Sequence, residues 1–319
     1  MNITLAGKDL LTLSDLSAEQ IMHLLDIASA LKAQRDSGTV AQTLAGKRIG
    51  IILQKPSLRT RVSFEVACGL LGAQPVVLEG EGNAFSRGES AKDTVGTLEG
   101  YLDALVIRTY SDELLGQVAE YAAIPVINAL TDGYHPCQGL ADLLTIREHF
   151  GRLAGLTLAY VGDGSNNMAH TYLEAGALMG MHVRIGSPLD YRPDPAILER
   201  TQRLAQDSGA TIAVVTDPVE AVAGADIVIT DTWASMGQEG DRDQRLADLA
   251  AYQVNAALMA AAADGAIFLH CLPAHRSEEV TDEVIDSTAS LVYREAENRL
   301  HVQAALLQEL LADDASANH

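Results

Sequence analysis

Two arginines and two hydroxyl side chains are packed into the short segment Lys55-Pro-Ser-Leu-Arg-Thr-Arg61. A predicted strand precedes it, and a helix is predicted from Ser57, a residue type favoured at helix N-caps. The first turn of a helix presents unpaired N–H groups and the positive end of the helix dipole. Both the helix N-terminus and the guanidinium groups favour anions. The segment therefore predicts a phosphate site without a glycine-rich loop. The alternative is a capped helix with surface arginines.

A second polar segment, His135-Pro-Cys-Gln138, stands at the start of another predicted helix. A histidine can donate a hydrogen bond to a carbonyl oxygen, and a glutamine amide can accept one from an NH2 group. Taken alone, a histidine at this place would more often cap its helix than take part in catalysis.

A third segment, Val161-Gly-Asp-Gly-Ser-Asn-Asn167, invites comparison with the glycine-rich fingerprint of dinucleotide-binding proteins. Asn167 takes the place of the third glycine. The next predicted strand ends in Val183-Arg-Ile-Gly-Ser187 and offers no acid for a ribose hydroxyl. These two departures argue against a nicotinamide cofactor and therefore against a dehydrogenase.

Two further segments follow predicted strands near the C-terminal end of the chain. In Asp231-Thr-Trp-Ala-Ser-Met-Gly237, an acid and a hydroxyl could bind the α-ammonium and α-carboxylate of an amino acid. The alternative there is a polar loop around a buried methionine. In His270-Cys-Leu-Pro273, the thiol and the nearby histidines suggest a metal site, but their spacing matches none of the common zinc patterns. We therefore predict no metal.

Taken together, these segments resemble the aspartate/ornithine carbamoyltransferase family. The family's Ser-x-Arg-Thr-Arg signature corresponds to residues 57–61, and its His-Pro-x-Gln element to 135–138. The Asp-x-x-x-Ser-Met-Gly and Cys-Leu-Pro segments of its ornithine-specific members correspond to 231–237 and 271–273. The resemblance runs from Leu11 to Leu311. It implies transfer of the carbamoyl group of carbamoyl phosphate to the side-chain amine of L-ornithine, giving L-citrulline and phosphate in arginine metabolism.

Two alternatives stay open within this family. One is carbamoylation of another amine, such as putrescine or an acylated ornithine. The other is a catalytically silent relative with a structural or regulatory role.

The resemblance also implies roles for individual residues. The residues that would bind carbamoyl phosphate are Ser57, Leu58, Arg59, Thr60, Arg108, His135, Gln138, Cys271, Leu272 and Arg299. Those that would bind ornithine are Asn167, Asp231, Ser235 and Met236. The catalytic residues would be Arg108, His135, Asp231 and Cys271. Neither a cofactor nor a metal is implied.

Members of the family are typically trimeric, so a homotrimer or a multiple of it is expected. In many of them a glutamine reaches the neighbouring subunit's site. The closest register here gives Ala84, beside Asn83.

The elements that must position these residues alternate between strand and helix. This alternation predicts an α/β chain with two domains, each a parallel sheet with helices on both faces. We assign residues 1–135 to carbamoyl phosphate, 136–150 to a linking helix and 151–295 to ornithine. Residues 296–319 would form a C-terminal helix that returns to the first domain, followed by a short tail. Every segment described above follows a strand, where ligands bind in such sheets.

Composition narrows the function classes further. A formal charge of −21 argues against nucleic acid and against an anionic membrane surface, because both need clustered Lys and Arg. Three scattered cysteines suggest a reducing compartment rather than a disulfide framework. The sequence contains neither a signal-peptide pattern nor an apolar run long enough to span a bilayer, so we expect a cytoplasmic protein.

Overall fold

The computed structural model describes residues 3–79, 88–234 and 239–312. The chain forms two compact units, of which one comprises Met1–Leu144 with Glu297–His319 and the other Thr145–Ala296. Several predicted residues lie outside the described part of the chain, namely Asn83, Ala84, Ser235 and Met236.

The first unit contains a four-stranded parallel sheet in the order β2-β1-β3-β4. Its strands are β1 (Arg48–Leu53), β2 (Gln74–Glu79), β3 (Ala104–Arg108) and β4 (Val126–Leu130). The helices that precede or connect these strands are α1 (Ala18–Ser37), α2 (Leu58–Leu71), α3 (Ala91–Leu98) and α4 (Asp112–Tyr121). Helix α5 (Pro136–Phe150) follows and contains the boundary with the second unit.

The second unit contains a five-stranded parallel sheet in the order β7-β6-β5-β8-β9. Its strands are β5 (Thr157–Val161), β6 (His182–Gly186), β7 (Ile212–Val215), β8 (Ile227–Ile229) and β9 (Ile267–Leu269). Its helices are α6 (Asn167–Met179), α7 (Pro195–Ser208), α8 (Pro218–Val222), α9 (Arg242–Leu249), α10 (Ala256–Met259) and α11 (Asp282–Ile285). Helix α12 (Val292–Leu310) starts in this unit and ends in the first.

Two parallel sheets flanked by helices confirm the predicted fold class. Local signals mark the starts of helices: Ser57 caps α2 as predicted, and Ser17 forms a capping box with Gln20 at the start of α1. The last helix was predicted too short, since it begins at Val292 and not near residue 296. Valine and tyrosine at its start favour strands in isolation, but Val292 is buried in the core. Arg299 consequently lies in the helix interior and not in an opening turn.

Each sheet has one place where the strand order reverses, between β1 and β3 in the first unit and between β5 and β8 in the second. Helices that follow the two central strands leave in opposite directions there, which opens a crevice at the carboxyl ends of the strands. Buried aliphatic side chains dominate the cores on which both sheets rest. Among helices in the described ranges, none is long and apolar enough to cross a membrane.

Candidate active site

In the first unit, polar side chains converge on the hydroxyl of Thr60, in the first turn of α2. This hydroxyl lies 3.0 Å from Nη2 of Arg299 and 3.4 Å from Nη1 of Arg108, both of which donate to it. The hydroxyl of Ser57 donates to it at 3.0 Å, while Ser57 Oγ accepts from the Thr60 amide. Thr60 is fully buried and Arg299 nearly so. Two guanidinium groups therefore meet at a helix N-terminus, an arrangement that suits a phosphate or a carbonyl oxygen.

The structure corrects one interpretation of this segment, in which Arg61 adds to the anion site. The Arg61 guanidinium instead pairs with Glu65 at 3.0 Å and with Glu79 at 2.7 Å. The positive charge of Arg59 helps to lower the pKa of His135, and its role as a phosphate ligand remains a prediction. Leu58 exposes 75% of its surface, so that its backbone and not its side chain is suited to the predicted role.

His135 lies among the same cations and is almost completely buried. Burial lowers its pKa well below the usual 6.5, and the charges of Arg299, Arg108 and Arg59 lower it further. The imidazole is therefore neutral at physiological pH. A neutral ring can donate one hydrogen bond to a carbonyl oxygen without adding a charge to the site.

Gln138 lies in the first turn of α5, and its side-chain amide is oriented by a contact within that helix. The His135 carbonyl accepts from the amides of Gln138 and Gly139, which starts α5. Gln138 is fully buried, and its Nε2 donates to Oδ1 of Asp142 at 2.8 Å. This contact fixes the orientation of the amide, with its oxygen as the acceptor that an NH2 group requires.

In the second unit, Asp231 follows β8 and Cys271 follows β9. The thiol of Cys271 donates to Oδ1 of Asp231 at 3.2 Å, and the Thr232 amide donates to the same oxygen at 2.7 Å. Burial raises the pKa of Asp231 above its usual 3.8, although His270 and the Cys271 contact partly offset this rise. A carboxylate with a raised pKa is suited to binding an ammonium group and to exchanging a proton with it.

Cys271 differs from the other two cysteines, all three of which are free thiols. Burial raises the pKa of both Cys68 and Cys137 to about 12. Cys271 is partly exposed and is the cysteine in contact with a carboxylate.

Sequence reasoning chose Asn167 and missed the neighbouring Asn166. Asn166 caps α6, and its Nδ2 donates to the hydroxyl of Tyr160 at 2.7 Å and to Oδ2 of Asp231 at 3.4 Å. Asn167 is the first residue of the helix and is half-buried, and its role as a ligand remains a prediction. The strong preference of asparagine for N-caps was the available signal, but it does not distinguish between two adjacent asparagines.

The second glycine of this turn, Gly164, has a structural explanation that does not involve a nucleotide. A Cβ atom on Gly164 would lie 2.8 Å from the Tyr191 carbonyl oxygen and 2.9 Å from the Ser187 hydroxyl. Such contacts are too close for any other residue type, so the third segment needs glycine for packing.

Asp231, His270 and Cys271 place their possible ligand atoms within 4.8 Å of one another, which raises the question of a metal. The Leu272 amide donates to Nδ1 of His270 at 2.9 Å, and the opposite ring nitrogen lies 3.2 Å from Oε1 of Glu279. Protein groups contact the imidazole on both sides, so that binding an ion would require breaking one of these contacts. The absence of a metal from the function remains a prediction.

We expect Cys271→Ser to lower kcat/KM for the amino-acid substrate by roughly a hundredfold, while KM for carbamoyl phosphate stays within about twofold. A hydroxyl keeps the contact with Asp231, but unlike a thiol it cannot ionise at accessible pH. Initial rates over a pH series would measure the effect. Unchanged dependence on the amino acid at every pH would remove the thiol from the mechanism.

Comparison with known proteins agrees with this geometry. The family model described as "Aspartate/ornithine carbamoyltransferase, carbamoyl-P binding domain" matches residues 8–148. The model described as "Aspartate/ornithine carbamoyltransferase, Asp/Orn binding domain" matches residues 154–310.

Similar proteins match along nearly the whole chain. Ornithine carbamoyltransferase of Anoxybacillus flavithermus is 51% identical over 309 residues, which is 97% of this chain and 98% of the relative. The solved ornithine carbamoyltransferase of Pyrococcus furiosus is 44% identical with a TM-score of 0.94, covering 97% of this chain and 99% of that one. The Gloeobacter violaceus structure of the same name is 46% identical with a TM-score of 0.86, covering 97% and 100%. The chain belongs to the aspartate/ornithine carbamoyltransferase family.

Proposed function

We propose that this protein transfers the carbamoyl group of carbamoyl phosphate to the side-chain amine of L-ornithine, releasing L-citrulline and phosphate. The observation that carries the proposal is the convergence of Arg108 and Arg299 on the Thr60 hydroxyl, at a helix N-terminus that Arg59 also serves. In a chain with a formal charge of −21, such a local cluster of cations is suited to an anionic substrate.

Carbamoyl phosphate is held through its phosphate by the first turn of α2, with Ser57, Arg59 and Thr60 as the main ligands and the Leu58 amide beside them. The carbamoyl oxygen accepts hydrogen bonds from Thr60, Arg108 and His135. These donors are already in place before reaction, which is the condition for stabilising the negative charge of a tetrahedral intermediate.

The remaining ligands serve the carbamoyl NH2 group and the phosphate. The NH2 group donates to the Gln138 amide oxygen and to the carbonyl oxygens of Cys271 and Leu272. Arg299 adds its charge to the phosphate. Because Gln138 is oriented by Asp142, its oxygen accepts and thereby distinguishes NH2 from a hydroxyl or a methyl group.

Ornithine is bound through its α-groups by Asn167, Asp231 and Ser235, with Met236 beside its side chain. The attacking amine must be neutral, since an ammonium group has no lone pair. Asp231 and Cys271, already in contact with each other, orient the substrate and help to remove the proton. Attack on the carbamoyl carbon forms the new C–N bond, and phosphate leaves with the C–O bonding pair and takes up the proton that the attacking nitrogen loses. No step needs a metal or an organic cofactor.

The proposal extends to a homotrimer, or a multiple of it, that works in arginine biosynthesis in the cytoplasm. Support for an assembly comes from the outer face of α2, where Leu58, Val62 and Val66 are exposed by 75%, 46% and 41%. Their spacing of four residues places them on one side of the helix.

The test is a product assay with carbamoyl phosphate and four separate amines: ornithine, acetylornithine, putrescine and aspartate. We expect ornithine to give citrulline with a kcat/KM at least about a hundredfold above any other amine, because the α-groups bind to dedicated partners. Preference for a different amine would move the chain to another reaction of the family. Absence of turnover with all four would favour a silent relative.

A further inference from the structure

Arg245, on helix α9, connects two segments of the second unit that follow different strands. Its Nη2 pairs with Oδ2 of Asp163, in the turn after β5, and its Nε donates to the Trp233 carbonyl oxygen, in the segment after β8. The side chains of Arg245 and Asp163 are only 13% and 3% exposed. This is a nearly buried ion pair with an added backbone contact, unlike exposed pairs such as Arg203 with Glu199.

Aromatic side chains hold the guanidinium group in place. Its carbon lies 5.0 Å from the centre of the Tyr191 ring, and the Tyr191 hydroxyl donates to Asp248 of the same helix at 2.9 Å. Trp233 is buried against Leu249, also on α9. A planar guanidinium group that stacks on an aromatic ring and donates in two directions is fixed more firmly than a flexible ammonium group would be.

Both segments that Arg245 contacts lead directly to the amino-acid site. Trp233 is two residues after Asp231. Oδ1 of Asp163 accepts from the amide and the hydroxyl of Ser165, at 2.9 and 2.6 Å, and so forms the turn that ends at Asn166. Asn166 in turn donates to Asp231.

We propose that Arg245 is a positioning residue for the amino-acid substrate, holding residues 163–166 after β5 and residues 231–234 after β8 in the arrangement that binds the ligand. The inference rests on the proposed function, and it adds a residue that neither the sequence motifs nor the site geometry had included. Arg245 does not contact the reacting atoms.

The physical reason is the cost of ordering a binding site. Segments that are fixed before binding lose little conformational freedom when the ligand arrives, whereas loose segments must be ordered at the expense of affinity. Removing Arg245 should therefore weaken ornithine binding. The carbamoyl phosphate ligands around Thr60 belong to the other unit and should keep their affinity.

An ion pair with a purely structural role is the competing explanation. Replacing Arg245 alone leaves Asp163 as a buried, unpaired charge, which destabilises a protein whatever the pair does for substrates. The double variant Arg245→Gln with Asp163→Asn removes both charges together. It loses the ionic contact but leaves no unpaired charge behind.

The experiment compares wild type, Arg245→Lys, Arg245→Gln and the double variant, with Arg203→Gln as a control. Arg203 forms an exposed pair with Glu199 in the same unit. We expect KM for ornithine to rise by about tenfold or more in Arg245→Gln and in the double variant, with partial rescue in Arg245→Lys. KM for carbamoyl phosphate and both constants of the control should stay within about twofold.

Trp233, the single tryptophan of the chain, supplies a readout that does not depend on turnover. Norvaline is an ornithine analogue without the reactive amine, and its binding should shift the Trp233 emission. The variants should need a higher norvaline concentration than wild type to reach the same shift. If the double variant does not fold, Arg245→Lys carries the test, because lysine keeps the charge but cannot make both directed contacts.

Two outcomes would overturn the inference: an unchanged KM for ornithine in a folded variant, or an equal rise of both KM values. Failure of the proposed function is recognised separately, since wild type would then form no citrulline in the parallel assay.

Discussion

Arg59→Ala should raise KM for carbamoyl phosphate by about tenfold to a hundredfold, whereas Arg61→Ala should leave it within about twofold. The two arginines are two positions apart on the first turns of α2, and the unaided sequence assigns both to the anion site. In the structure the two arginines have different surroundings. Arg59 contributes to the electrostatic field around His135, while Arg61 is 45% exposed and pairs with Glu65 and Glu79. A side chain already neutralised by two carboxylates has little charge to offer a phosphate.

The pair of variants is a matched comparison, because residue type, helix and substitution are the same. Initial rates at varied carbamoyl phosphate and saturating ornithine would measure KM, and calorimetry with carbamoyl phosphate would measure binding without turnover. A second signature follows from the field of Arg59, which lowers the pKa of His135. Removing that charge should let the pKa rise, which NMR titration of the imidazole can detect. Equal effects of the two substitutions would contradict the assignment.

The contrast between Arg59 and Arg61 shows what sequence reasoning could have resolved and did not. Residues two apart on a helix point to nearly opposite sides of it, which favours different partners for the two guanidinium groups. Ser57 was predictable because an N-cap is a local property of the chain. The order of strands and helices was predictable for the same reason, since periodicity reports on local structure.

Contacts between distant parts of the chain could not be predicted from local patterns. Arg299 reaches Thr60 across 239 positions of sequence, and nothing in its own helix indicates that partner. Its place in the site came from the family resemblance and not from physical reasoning. The contacts of His270 with Glu279 and of Arg245 with Asp163 were missed altogether. A buried polar contact of this kind leaves no periodic signal, because its members lie on separate elements whose packing must be known first.

Asp231→Asn should lower kcat/KM for ornithine by about a thousandfold, the largest effect we expect from one substitution in the second unit. The carboxylate accepts from the Cys271 thiol and from Asn166. It supplies the negative charge that the α-ammonium of ornithine needs. Asparagine keeps the shape and one acceptor but loses the charge. Unfolding would not explain the loss, since burial raises the pKa of Asp231 and hence already disfavours its charged form.

The same strand provides the control. Asp226 immediately precedes β8, whereas Asp231 follows that strand, so the two carboxylates lie at opposite edges of the sheet. Oδ2 of Asp226 accepts from the Thr157 amide at 2.8 Å. Asp226→Asn should therefore leave both KM values within about twofold, because an amide oxygen still accepts from Thr157. Norvaline then separates two roles of the Asp231 carboxylate. If it binds the α-ammonium, as we expect, norvaline affinity falls together with ornithine affinity in Asp231→Asn. If norvaline binds Asp231→Asn as tightly as wild type, the carboxylate serves the side-chain amine alone, and the assignment of the α-ammonium to Asp231 is wrong.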